Sequence, residues 1–241
     1  MELFDAHITV GNGLHFQLEP VELLRQMDLY KVSKAFISPP DRCMAVANEE
    51  GHHYILDLVR TFPERFTGYA SINPWYGKSG LEILIRALEQ GLRGIKLHPF
   101  LQGFTLFDSI VQPVLEIAKQ YSAVVYIQTW SSINALPLQV AEIARQYPEV
   151  NFILGRMGKT DFAIDAVPAL SQAFNLYAET TYNQPDYLKN LVQRFGAERV
   201  LFSSDSPLTF MEMEIAKFHD IDISDSEKEL IAHGNLERLI S

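Results

Sequence analysis

The chain has 241 residues, 47% of them hydrophobic, with a net charge of −10 and a pI near 5.1. That is enough to bury the core of one large α/β barrel or of two small domains. The acidic balance and the lack of any basic stripe argue against a nucleic acid or an anionic membrane as partner. The single cysteine, Cys43, cannot form an internal disulfide, which fits a reducing compartment. The sequence enters an apolar strand at Leu3 without a basic n-region, and its apolar runs are far too short to span a membrane. A cytoplasmic protein is expected.

Short β-rich runs alternate with amphipathic stretches. The predicted strands are Leu3–Thr9, Lys34–Ser38, Phe66–Ile72, Gly94–His98, Ala123–Thr129, Asn151–Met157, Leu176–Thr181 and Val200–Asp205. Runs such as A-V-V-Y-I and N-F-I-L-G are apolar throughout, as strands buried on both faces of a parallel sheet are. The predicted helices are Pro20–Leu29, Arg42–Thr61, Gly80–Gln90, Phe107–Tyr121, Ala135–Tyr147, Phe162–Phe174, Asp186–Phe195 and Asp225–Ile240, each with apolar residues three and four apart. Pro63, Gly91, Pro148 and Gly196 stand where helices should stop. No linker or composition break divides the chain, so residues 1–241 are read as one domain. Eight βα units of roughly thirty residues each predict a closed (β/α)8 barrel, the TIM-barrel architecture. A doubly wound sheet is disfavoured, because no G-x-G-x-x-G follows the first strand and no P-loop occurs.

In such a barrel the chemistry lies at the carboxyl ends of the strands. Those ends carry His7 and Thr9, Ser71 and Asn73, Lys96 and His98, Gln128, Arg156, Glu179, and Asp205. Burying charged groups costs several kcal/mol unless they are paired, so polar residues recurring at one end of the strands mark a site.

These stretches resemble the amidohydrolase superfamily, in the branch of amidohydrolase-related TIM-barrel hydrolases that also holds aminocarboxymuconate-semialdehyde decarboxylase. The likeness lies in F-D-A-H-I-T-V-G, P-E-R-F-T-G-Y-A-S-I-N-P-W-Y-G, G-L-R-G-I-K-L-H-P-F, V-V-Y-I-Q-T-W, N-F-I-L-G-R-M-G, R-V-L-F-S-S-D-S-P and H-G-N-L-E-R-L-I, in that order along the chain. The resemblance implies a divalent-metal site with two histidines in the first-strand motif, one after strand five, one after strand six and an aspartate after strand eight. Here those positions hold His7, Thr9, Gln128, Arg156 and Asp205. Only His7 and Asp205 match, so the expectation is no metal cofactor. Thr9 and Gln128 are poor zinc ligands, and an arginine has no lone pair to give.

The expected function is a hydrolase that attacks a small, carboxylate-bearing ester, lactone or amide without a metal. Metal-independent lactonases in the superfamily make this admissible. Asp205, helped by His7, would take a proton from water. Arg156 would pair with Asp205 and, with Lys96 and Gln128, bind the substrate carboxylate and stabilise the oxyanion. His98, Glu179 and Thr9 complete the substrate-binding set, with His98 also placed to fix the P-F-L-Q-G-F loop. The alternatives are an inactive barrel that binds a small anion or a protein partner, a decarboxylase on the same family grounds, though that reaction usually leans on the metal, and a relocated metal site on His7, Glu179 and Asp205, which would need Arg156 to swing away. The resemblance also implies a homodimer. His52 and His53 are expected on a solvated helix surface, since helical neighbours point about 100° apart and do not chelate. Trp75 and Trp130 are read either as pocket walls or as loop packing, and Cys43 as no nucleophile.

Overall fold

The computed structural model describes residues 1–130 and 132–240, with the backbone alone at Thr160. Eight parallel strands form one sheet in sequential order: β1 Leu3–Thr9, β2 Val32–Ser38, β3 Phe66–Ala70, β4 Gly94–Leu97, β5 Val124–Gln128, β6 Phe152–Gly155, β7 Leu176–Glu179 and β8 Val200–Leu201. The sheet closes on itself. Ala6 N donates to Phe202 O (2.9 Å), Asp205 N to His7 O (3.1 Å) and Thr9 N to Ser206 O (2.9 Å). Helices follow the strands and cover the outside, so the fold is the expected (β/α)8 barrel.

Two apolar layers hold it. The larger lies between strands and helices. The smaller fills the barrel, where Phe4, Phe36, Tyr69, Val124, Tyr126 and Ile153 pack with Leu236 and Leu239 of the last helix. Phe36 and Tyr69 stack with centroids 3.6 Å apart. Each such ring taken out of water contributes about 1.5–3 kcal/mol.

One irregularity places the site. Along β1, Asp5 pairs with Ala35 and Ile8 with Ile37, three steps against two. Strict alternation would put Ile8 inside with Phe4 and Ala6. The bulge instead sends Ile8 to the outer core and frees His7 for the barrel's end. Asp5 Oδ1 fastens it by accepting from His7 N (3.1 Å) and from Ser204 N (3.0 Å).

Several elements differ from expectation. The helix expected at 42–61 is two, Asp41–Ala45 and Asn48–Thr61. The Asn48 amide spans the break by donating to Cys43 O (2.9 Å) and Met44 O (2.7 Å). The helix expected from Phe107 starts at Gln112, because Asp108 Oδ2 accepts from Thr105 N (2.7 Å) and turns the chain. A helix at Met211–His219 and a small hairpin pairing Gly11–Asn12 with Gln17–Leu18 were not anticipated. His52 is a correction: it is buried, with Nε2 2.8 Å from Ser71 O, while His53 faces solvent. Of two helical neighbours 100° apart, one here faces the barrel.

Candidate active site

His7, Thr9, Lys96, Gln128, Arg156 and Asp205 meet at the carboxyl ends of the strands, and all are buried. His7 Nδ1 lies 2.9 Å from Asp205 Oδ1. A carboxylate only accepts, so Nδ1 carries the proton and Nε2 is the bare, basic nitrogen. Lys96 Nζ stands 2.6 Å from that nitrogen. Ser38 Oγ lies 3.2 Å from both Lys96 Nζ and His7 Nε2, and Thr9 Oγ1 lies 3.3 Å from Ser38 Oγ. On the other side Arg156 Nη2 contacts Asp205 Oδ2 at 2.8 Å. Arg156 also meets Gln128, whose amide oxygen, turned to satisfy its neighbours, accepts from Nη1 (3.0 Å), Nη2 (3.2 Å) and His98 Nε2 (2.9 Å). The result is one chain of contacts, Lys96–His7–Asp205–Arg156–Gln128–His98.

The charges follow from burial and pairing. Burial, with Lys96 beside it, lowers the His7 pKa to about 4. Burial also lowers Lys96 to about 7, with Arg156 adding to the shift and Asp205 opposing it. Burial works against ionised Asp205, but Arg156 and His7 override it and hold the carboxyl well below its usual range. Burial likewise opposes the Arg156 charge, and Asp205 more than restores it. His98 is pushed down to about 3 by burial, Lys96 and Arg156.

Glu179 sits beneath Arg156. Its Oε1 accepts from Arg156 N (2.5 Å), and its Oε2 accepts from Thr181 Oγ1 (2.5 Å) and Thr181 N (3.2 Å). Burial pushes its pKa up to about 7. The tie holds a costly turn: Arg156, Met157, Gly158 and Lys159 have φ of 62°, 44°, 78° and 20°. A side-chain-bearing residue in that region costs about 1–3 kcal/mol. Glu179 was expected to bind substrate; in this arrangement both of its oxygens hold backbone and hydroxyl groups of the protein.

At the mouth, Trp130 and Tyr182 flank two cations. Lys159 Nζ lies 4.0 and 3.9 Å from the two ring centroids, and Arg156 Cζ lies 5.0 and 5.6 Å from them. Trp75 instead donates its indole N–H to Gly103 O (2.9 Å) and packs a loop. Cys43 is buried, and burial raises its pKa, which suits an inert thiol.

Three participants escaped the sequence reading. Ser38 ends an apolar strand just as Lys96 nearly does, so its signal was there. Tyr182 follows β7 with no pattern to single it out. Tyr126 stacks on the His7 ring, with centroids 4.5 Å apart and planes at 22°. Gly155 makes room for Tyr126, since a Cβ at Gly155 would fall 2.4 Å from the phenol ring. Gly155→Ala is therefore expected to cost about 1–3 kcal/mol, read by urea unfolding.

Among the described residues, no three His, Cys, Asp or Glu side chains come together to hold a metal ion. Among the described residues, no helix is long and apolar enough to cross a membrane.

A closed barrel with a buried charged chain at its carboxyl end has the layout of a TIM-barrel enzyme. The amidohydrolase family model matches residues 16–240, and the chain belongs to that family. No curated protein matches the sequence. Among solved structures, 5-carboxyvanillate decarboxylase from Sphingomonas paucimobilis is similar over 100% of this chain and 99% of its own, with TM-score 0.79 and 14% identity. The same enzyme from Novosphingobium aromaticivorans, complexed with manganese and 4-hydroxy-3-methoxy-5-nitrobenzoic acid, gives TM-score 0.82 and 13% identity over 99% of this chain and 95% of its own. 2,6-Dihydroxybenzoate decarboxylase from Rhizobium gives 0.78 and 16% over 99% and 98%. At these identities the likeness is one of fold.

Proposed function

We propose that the chain is an amidohydrolase-family hydrolase that attacks the carbonyl of a small carboxylate-bearing ester, lactone or amide without a catalytic metal. The observation that carries the reading is that nitrogen groups of the protein, an amine and a guanidinium, already stand against both residues matching the family's metal ligands. Lys96 Nζ is 2.6 Å from His7 Nε2, and Arg156 Nη2 is 2.8 Å from Asp205 Oδ2. A catalytic zinc takes about three nitrogen, oxygen or sulfur ligands. The remaining positions offer a hydroxyl (Thr9), an amide (Gln128) and a guanidinium (Arg156), so the donor set does not fit a divalent ion.

In this reading the base is Lys96 rather than Asp205. Asp205 spends its oxygens on His7 and Arg156 and is held ionised, which makes it a weak base that orients His7. Lys96, with its pKa near 7, has a large neutral fraction at neutral pH and takes the proton of the attacking water, sharing it with His7 Nε2. Arg156 binds the substrate carboxylate and the developing oxyanion. Its Nε has no hydrogen-bond partner among the described residues, so a buried donor is left for a ligand acceptor. His98 holds Gln128 against the guanidinium, and Trp130 and Tyr182 wall the entrance.

A second reading is decarboxylation of an aromatic carboxylate. It is favoured by the three fold neighbours described above, each a decarboxylase of an aromatic acid, and by the two aromatic rings at the mouth.

The test is elemental analysis of protein purified without added metal, followed by ester, lactone and aromatic-acid panels. Hydrolysis that survives chelation, and falls about 10²–10⁴-fold in Lys96→Met, is the expected result. Near-stoichiometric zinc or manganese with chelator-sensitive turnover overturns the metal-free reading. Release of carbon dioxide selects the second reading. Binding of small acids with no turnover of any panel member leaves the inactive barrel.

A further inference from the structure

A cavity of about 170 Å³ lies outside the barrel, between the helices Gln112–Gln120 and Pro137–Gln146. Its walls include Leu106, Phe107, Leu115 and Ile143, and its polar lining is Asp108, Gln112 and Gln146. An apolar cavity of about 150 Å³ is large enough to hold benzene. An exposed apolar track joins this cavity to the mouth. Trp130, 42% exposed, stands at the mouth, and Ile133, 75% exposed, follows on the same loop. Asn134 pins that loop to the cavity wall: its O accepts from Leu106 N (3.3 Å), and its Nδ2 donates to Phe104 O (2.9 Å). Phe107, 55% exposed, stands at the cavity's edge. Residues 129–136 carry no charge, and residues 99–112 carry one, Asp108. The outward faces of the neighbouring helices instead carry ion pairs such as Lys119–Glu149 and Arg145–Glu142. Large bare apolar side chains in a row, on loops that hydrogen bonds fix in place, mark a binding surface.

We propose that the track and the cavity take the apolar tail of the substrate. The ester or lactone is then an amphiphile, with its reacting end at the mouth and its alkyl chain running over Ile133 into the cavity beside Phe107. The proposal rests on the hydrolytic reading for the reacting end alone; the tail site stands on the exposed track and the cavity. Asp108 fixes the chemistry of the tail's far end. Its Oδ2 accepts from Thr105 N (2.7 Å), which holds the carboxylate at the cavity. A second carboxylate on the tail would meet that charge and the apolar walls together, so the tail ends uncharged. Each methylene fully buried there strengthens binding about fourfold.

The probes are straight-chain carboxylates from butanoate to dodecanoate, the products such esters release. They are titrated calorimetrically into the wild-type chain below their micelle concentrations. Affinity is expected to rise about two- to fourfold per added methylene until the cavity is full, and dodecanedioate to bind about tenfold more weakly than dodecanoate. Gln112→Trp puts an indole at the cavity from an exposed helix position, and Ile133→Ser interrupts the track. Each should flatten the rise and leave the butanoate value unchanged, with a native circular dichroism spectrum. Should either variant not fold, the wild-type series decides alone. No binding at any length, an affinity independent of length, or a rise that both variants keep overturns the proposal. Sedimentation of the wild type tests the other occupant: a dimer that Ile133→Ser dissociates gives the surface to a second copy and also overturns it. Esters hydrolysed with equal kcat/KM at every chain length lose only this proposal. Tail binding without turnover of any ester loses only the hydrolytic reading.

Discussion

Arg156→Leu is expected to lower the unfolding free energy by about 3–5 kcal/mol at pH 7, because it leaves a buried charge without its partner. Asp205 is fully buried, and its shortest contact is with Arg156, at 2.8 Å. Leucine fills part of the volume but supplies no charge. His7 cannot replace the cation cheaply, since burial and Lys96 hold it neutral until about pH 4. The pH dependence gives the sign. The folded pKa of Asp205 is depressed, so its stabilisation is present above the unfolded value of about 3.9 and is lost as pH falls through the folded value. In Arg156→Leu the folded value rises. The deficit relative to wild type should therefore be large at pH 7 and shrink below about pH 4. Urea unfolding at pH 7 and pH 3 measures both. Equal deficits at the two pH values would mean that packing, not charge pairing, is what Arg156 supplies. Arg156→Lys should fall between, since an ammonium keeps the charge but not the fork that reaches Asp205 and Gln128 together.

The barrel was legible because its strands are apolar runs broken by turn residues at a steady interval. The site was legible where a charge interrupts such a run: Lys96 in G-I-K-L and Asp205 after V-L-F-S-S could hardly be plain core. What escaped depended on direction rather than residue type. Nothing in L-F-D-A-H-I-T announces a bulge, yet the bulge swings His7 to the site and Ile8 to the outer core. Tyr126 reads as one more apolar residue of A-V-V-Y-I until the register aims it at the His7 ring. Glu179 shows the converse. Its type and place marked it as a ligand-facing acid, but its acceptors are turned to Arg156 N and Thr181 and hold a left-handed turn that no sequence pattern reveals. The 100° between His52 and His53 rules out a chelating pair but does not say which of them faces solvent, and only the packing of the helix against β3 separates them.

The Lys96→Met variant is expected to change the slope of stability with pH. Burial in the folded chain lowers the Lys96 pKa from its ordinary 10.5 to about 7. Below 7 both states bind the proton, and the cost of burying the ammonium is present in full. Between about 7 and 10.5 the unfolded chain binds the proton and the folded chain does not, so wild-type stability rises relative to the variant by up to about 1.4 kcal/mol per pH unit. The sign is opposite to that for Asp205, where pairing overrides burial; at Lys96 burial overrides pairing. The other buried groups with shifted values, His98 near 3, His7 and His52 near 4, and Asp5 and Glu179 near 7, are retained in the variant; Lys96 lowers only His7 and His98 among them, and both titrate well below pH 7, so the difference between the two curves above pH 7 reads Lys96. The offset at pH 7 mixes the relief of burying an ammonium with the loss of the His7 and Ser38 contacts, so the slope is the diagnostic quantity. Unfolding from pH 7 to 9.5 reads it. Parallel curves would show an amine that titrates alike folded and unfolded, and such a lysine would not be a base at neutral pH. Diverging curves would put a neutral amine against His7 at the pH where the hydrolytic step needs it.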